Sequence, residues 1–177
     1  MKRYHPLLVS IHWIVAFMVL VALLIGGPSL ADMENSDPDK MFGLKGHMIW
    51  GIVIGTLMVV RLVTRLTKET PPHADAGNAA LNSGAKAAHW GLYLLVFAMV
   101  GSGLGIAMSA GLFPIAFGGS GTPLPANFDA FTARTAHGLI ANLLLLLIAL
   151  HLAGWAYHQF IRKDHLISRM WFGKRAK

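Results

Sequence analysis

The sequence predicts an all-α integral membrane protein, a four-helix bundle of up-down topology, and three observations lead there. Of its 177 residues 55% are hydrophobic and only 13% charged, a balance too apolar for an ordinary soluble domain. Four apolar segments each approach the roughly twenty residues needed to cross a bilayer. Histidines recur within those segments, where a polar ring is costly unless something binds it.

The segments run over 7–27, 43–64, 87–109 and 135–161. Between them lie the breakers Pro28 and Pro38, then Pro71 and Pro72, then Pro114, Pro123 and Pro125. No proline interrupts the middle of a segment, and no stretch is left for a soluble domain. The expectation is a single transmembrane domain over 1–177.

The first segment has a rival reading. Lys2 and Arg3, an apolar run and Ser29-Leu30-Ala31 resemble the three parts of a signal peptide. The run is longer than the usual apolar region and is interrupted by His12 and Trp13, so it reads as a retained span. The second segment opens near His47, carries Gly51 and Gly55 at small-xxx-small spacing, and ends at Arg61 and Arg65. The third opens at His89 and carries Gly101 and Gly105 in the same relation, with Ser102 and Gly103 between them. The fourth holds His137, His151 and His158, with Gly138 and Gly154 beside the histidine face.

Charge orients these spans. The net charge of +7 is unevenly distributed. Lys2, Arg3, Arg61, Arg65, Lys68, Lys86, Arg162, Lys163, Arg169, Lys174, Arg175 and Lys177 all fall on one side of a four-span topology. Only Lys40, Lys45 and Arg134 fall on the other. The positive-inside rule then places both termini and the middle loop in the cytoplasm of a bacterial inner membrane. The basic residues serve topology and contact with membrane lipid, not nucleic acid.

His137 and His151 are fourteen residues apart on one helix. That is just under four turns, so both rings leave nearly the same face, roughly 21 Å apart along the axis. Sorted by depth, the outer layer holds His47 and His137, and the inner layer holds His12, His89, His151 and His158. Two imidazoles per layer is the number that clamps a haem iron from both faces. Zinc fits less well, because an imidazole pair leaves it short of four ligands. The absence of cysteine excludes thiolate sites and disulfides. Arg61 and Arg65 at the inner end, and Lys45 and Arg134 at the outer end, suit haem propionates as well as headgroup anchoring.

Several fragments together resemble a known family. Ser10-Ile11-His12-Trp13, Gly46-His47, Met58-Val59-Val60-Arg61-Leu62 and Pro71-Pro72 are similar to the bacterial cytochrome b561 family of four-helix di-haem proteins. So are Ala88-His89, Ala136-His137, Ala141-Asn142-Leu143, Leu150-His151 and Lys163-Asp164. The resemblance covers nearly the whole chain. It implies that His12 with His151 holds the inner haem and His47 with His137 the outer one, with His89 as an alternative inner ligand. It also implies ubiquinone as substrate and superoxide, or another small electron donor, at the outer face.

Lys45 and Arg134 would draw an anionic donor toward the outer ligands. His158 or His89 would meet a quinone near the inner ones and relay its proton. Two other functions share these features. One is a cytochrome b anchor relaying electrons between a dehydrogenase partner and quinone, and the other is a haem-free structural or transport protein.

Overall fold

A computed structural model describes residues 3–173. Lys2, Lys174, Arg175 and Lys177, which entered the charge distribution above, lie outside the described residues. Four helices are long and apolar enough to cross a membrane: α1 (Pro6–Asp32), α2 (Pro38–Thr67), α3 (Ala79–Ser109) and α5 (Thr132–Arg162). A short helix α4 (Leu112–Ala116) and a 3₁₀ turn (Leu166–Met170) complete the described structure.

Two of the long helices, α2 and α3, start ahead of their apolar runs, each from a capped N-terminus. Pro38 occupies the first turn of α2, where its missing N–H costs nothing, and the Asp37 carboxylate accepts from Asp39 N at 2.8 Å. Asn78 accepts from Leu81 N at 2.9 Å and starts α3 well before its apolar part. Pro28 and Pro114, which read as loop breakers, both lie inside helical turns. Pro28 is tolerated because a π-helical segment, Ala22–Gly26, precedes it and re-routes the local hydrogen bonds.

Consecutive long helices pack as neighbours: α1 on α2, α2 on α3, and α3 most extensively on α5. Gly55 faces Val100, Gly91 faces Leu147, and Gly105 faces Ala133, each so closely that an added Cβ would lie 3.0–3.4 Å from its neighbour. Small residues at these crossings let backbones approach, which is what helix association in lipid relies on. Gly51 and Gly101 do not share this role, since no neighbour would come within 4 Å of a Cβ there. Trp50 Nε1 donates to Met18 O at 2.9 Å and ties α2 to α1.

The core is a band of Ile11, Val15, Met18, Val19, Ile54, Met58, Tyr93, Val96 and Leu144. Leu144, only 2% exposed, is the one fully enclosed side chain in the stretch Thr132–Ala156. It stands halfway between His137 and His151. Large apolar side chains such as Phe17, Leu94, Leu146 and Phe160 point outward, as a surface solvated by lipid tails requires.

The two ends of the bundle are tied differently. At one end Tyr4 N donates to Arg169 O, Trp13 Nε1 to Met170 O, and Arg169 to Pro72 O. The N-terminal segment, the α2–α3 connection and the C-terminal segment therefore meet. At the other end Asn35 Nδ2 donates to Pro125 O at 2.7 Å, joining the first and third connections. Lys40, 5% exposed, donates to Leu30 O and Met33 O and closes the end of α1.

Candidate functional site

The histidines gather into layers at the two ends of the bundle. His47 on α2 and His137 on α5 face each other with ring centres 6.2 Å apart and planes at 77°. His12 on α1 and His151 on α5 do the same at 6.5 Å and 71°. Two imidazoles on one metal, each bound at about 2.0 Å, place their ring centres about 6.3 Å apart. Both pairs match that gap. Among the described residues no group of three or more metal-ligating side chains forms, so the arrangement is one of pairs, suited to an axial clamp and short of a zinc site.

The outer pair has a defined tautomer. Ser102 donates its one hydroxyl proton to Met99 O at 3.0 Å, and the same oxygen lies 2.9 Å from His137 Nδ1. The ring nitrogen is therefore the donor in that second contact, which leaves Nε2 with its lone pair for a metal. Gly103 lies against the ring, 3.4 Å from its Cε1 to where a Cβ would stand. A Cβ there would stand in van der Waals contact with His137.

The inner layer brings three histidines together. His89 and His151 are closer, at 5.2 Å, about 1 Å short of the axial gap. His89 is also exposed on the bundle surface, whereas His12 and His151 are half-buried. Separation and burial thus favour His12 as the partner of His151. The hydrogen bonds point the other way. His89 Nδ1 donates to Ala85 O at 2.6 Å, freeing its Nε2, whereas His12 Nδ1 accepts from Arg61 at 3.2 Å. A guanidinium only donates. In a neutral His12 that contact puts the ring proton on Nε2, so metal binding there requires Arg61 to leave Nδ1. Arg61 also lies over the Tyr93 ring, 4.9 Å from its centre, and its Nε is buried without a partner.

Of the other anticipated residues, Lys45 and Arg134 stand one turn or less before His47 and His137, both half-buried. The Arg134 guanidinium runs along α5 past Gly138. His158, 7% exposed, lies in the π-helical last turns of α5, Tyr157–Arg162, away from both pairs. Its Nδ1 contacts Asp164 Oδ2 at 2.6 Å. Nearby in sequence, Trp155 Nε1, Gln159 Oε1 and Asp164 Oδ1 are buried polar atoms without hydrogen-bond partners. Ser102 and the pairing of Asp164 with His158 were not foreseen. A serine between two glycines reads as helix packing, and no spacing rule links an α3 hydroxyl to an α5 imidazole.

The model of one family, prokaryotic cytochrome b561, matches residues 3–173. The chain belongs to that family. Over 98% of both chains it is 33% identical to a probable superoxide oxidase, CybB, of Yersinia pestis. It is 26% identical to cytochrome b562 of Cereibacter sphaeroides over 94% of each chain. It is also 26% identical to cytochrome b561 homolog 2 of Escherichia coli, over 96% of this chain and 91% of the relative. Membership makes this a bacterial multi-pass membrane cytochrome b, an electron-transfer protein of oxidoreductase type that binds haem b.

Proposed function

We propose that the chain holds two haems b, takes single electrons from superoxide at the His47–His137 end, and delivers them to ubiquinone at the His12–His151 end. The observation that carries this reading is the pair of matched imidazole gaps, 6.2 and 6.5 Å, built on one shared helix. His47 with His137 and His12 with His151 would hold such haems between two imidazoles each, and the haems would supply outer-sphere electron transfer with no free position for oxygen.

The chain's own residues supply the rest. Ser102 orients His137, and Gly103 leaves room for its ring. Arg61 moves from His12 to a propionate carboxylate, a stronger acceptor for a guanidinium. Leu144 and the core band around it exclude water between the layers. Lys45 and Arg134 attract an anionic donor, moderated by Asp32, Glu34, Asp37 and Asp39 in the adjoining connection. At the other end, the unpartnered Trp155 N–H and the buried His158 suit a quinone carbonyl arriving from the lipid. The distribution of Lys and Arg assigns that end, with both termini, to the cytoplasm.

Pyridine haemochrome on the purified chain, followed by ubiquinone-1 reduction driven by enzymatically generated superoxide, tests the reading. Two haems per chain and superoxide-dependent quinol formation are expected. A colourless protein, or a haem-loaded one that superoxide does not reduce, overturns it.

A further inference from the structure

We propose that Asp164 is a positioning residue for quinone protonation, holding His158 with its Nδ1 proton on the carboxylate and its Nε2 turned to exchange protons with the substrate. This rests on the quinone reading of the α5 end.

Four observations converge. His158 is almost fully buried, and its Nδ1 lies 2.6 Å from Asp164 Oδ2, a direct imidazole–carboxylate contact. The carboxylate is held there by an unusual backbone. Both of its neighbours, Lys163 (φ 55°) and His165 (φ 53°), adopt the left-handed conformation, which is strained for a residue with a Cβ. Left-handed caps normally use glycine, and a lysine here shows that the turn is imposed by its surroundings. The turn folds Asp164 back over the helix end, where its N–H also bonds His158 O at 3.3 Å.

The third observation is the π-helical stretch Tyr157–Arg162, a distortion that re-aims side chains and recurs at functional sites. The fourth is the second carboxylate oxygen. Asp164 Oδ1 is buried with no partner, as are Trp155 Nε1 and Gln159 Oε1. A packed helix end satisfies such groups, and a quinone carbonyl, which only accepts, would satisfy the Trp155 N–H beside His158.

The other charged or aromatic groups near His158 are Asp75 from the α2–α3 connection, Arg162, which lies 3.9 Å from Asp75, and the Tyr157 ring at 5.7 Å. Among the described residues, only Asp164 touches the imidazole with a carboxylate.

The chemistry balances with two donors per quinone. Two superoxide anions each lose one electron and become dioxygen. The quinone gains those two electrons and two protons and becomes quinol. For each proton the His158 Nε2–H bond breaks as an O–H bond forms on a quinone oxygen, and Nε2 is reprotonated from cytoplasmic water. Asp164 fixes the tautomer and stabilises the imidazolium between these steps, the part a buried aspartate plays beside a catalytic histidine elsewhere.

The test uses the haem-loaded full-length chain, with superoxide as donor and ubiquinone-1 as acceptor, comparing wild type, Asp164→Asn and Asp164→Glu. For Asp164→Asn, kcat falls on the order of 100-fold. The KM for quinone, the haem bands, the thermal midpoint and the rate of haem reduction by superoxide stay unchanged. Asp164→Glu recovers part of kcat. Equal kcat in wild type and Asp164→Asn overturns the dyad alone, as does a loss matched by falling haem content or by a raised KM. Wild-type protein that accepts electrons from superoxide but passes none to ubiquinone-1 overturns the quinone reading, and the dyad with it.

Discussion

The hydroxyl of Ser102 stands between Met99 O and His137 Nδ1, at 3.0 and 2.9 Å, and so decides which nitrogen of the outer histidine faces its partner. Ser102→Ala removes that restraint while leaving both rings in place. Affinity for the outer haem is expected to fall about 10–100-fold, with the inner haem retained. Haem titration of the apoprotein, followed by absorption, checks this. An unchanged outer affinity would show that the hydroxyl serves only helix packing.

The layered pairs predict how single ligand losses partition. His47→Ala or His137→Ala leaves one haem per chain, the inner one. His12→Ala or His151→Ala leaves the outer one. His89→Ala retains both, since the 5.2 Å separation of its ring from His151 is too short for an axial pair. Haem stoichiometry and the split of the reduced α-band read the result. Retention of the inner haem in His12→Ala together with its loss in His89→Ala would reverse the inner assignment.

Arg61, which lies on His12 Nδ1 and leaves it when that ring binds a metal, is placed to act on the loaded inner site through its charge. Arg61→Gln keeps a donor and removes the charge. The inner haem is expected to bind, with a midpoint potential lower by tens of mV, the order of magnitude of one cation lost at about 10 Å in a partly buried site. Potentiometric titration separates this from the outer haem, whose potential stays in place.

Neutralising Lys45 and Arg134 together slows reduction by an anionic donor and flattens its dependence on ionic strength, because steering by exposed charge is screened within about 10 Å at 0.1 M salt. Stopped-flow reduction at several salt concentrations is the measurement. A neutral reductant serves as the control and is unaffected.

The α2–α3 connection carries a pH-sensitive clasp. The Asn82 side chain and the Gly77 N–H both donate to Asp75 Oδ1, at 2.9 and 3.0 Å, and hold its carboxyl below the ordinary 3.8. A depressed folded value means that the stabilisation is present above pH 3.8 and is lost as pH falls through the lower folded value. Asp75→Asn is therefore slightly less stable than wild type at pH 6. The difference in thermal midpoint closes as both are acidified through the lowered folded value.

Much of the fold was legible because lipid imposes simple rules. Apolar length alone marks four helices, and the fourteen-residue interval alone puts His137 and His151 on one face. The helix ends were less legible. Asp37 and Asn78 extend α2 and α3 beyond their apolar runs through caps whose polarity reads as loop. The inner layer was legible as a set of histidines but not as a pair, since depth along a helix says nothing about which rings meet. The turn at Lys163–Asp164–His165 left no mark, because its left-handed residues are not glycines. The segment that follows it is tied down from far away in sequence, by Arg169 on Pro72 and Trp13 on Met170.

One helix, α5, contributes a ring to each clamp, with Leu144 midway between. The span that an electron must cross is thereby written into the chain as a number of residues, and it does not depend on how the other helices settle against one another. Loosening α1 or α2 would weaken a grip without changing the distance between the two grips. One residue inserted between His137 and His151 would instead swing one ring about 100° off the shared face. On the proposed pairing, the electron path of this chain is thus as rigid as a single hydrogen-bonded rod.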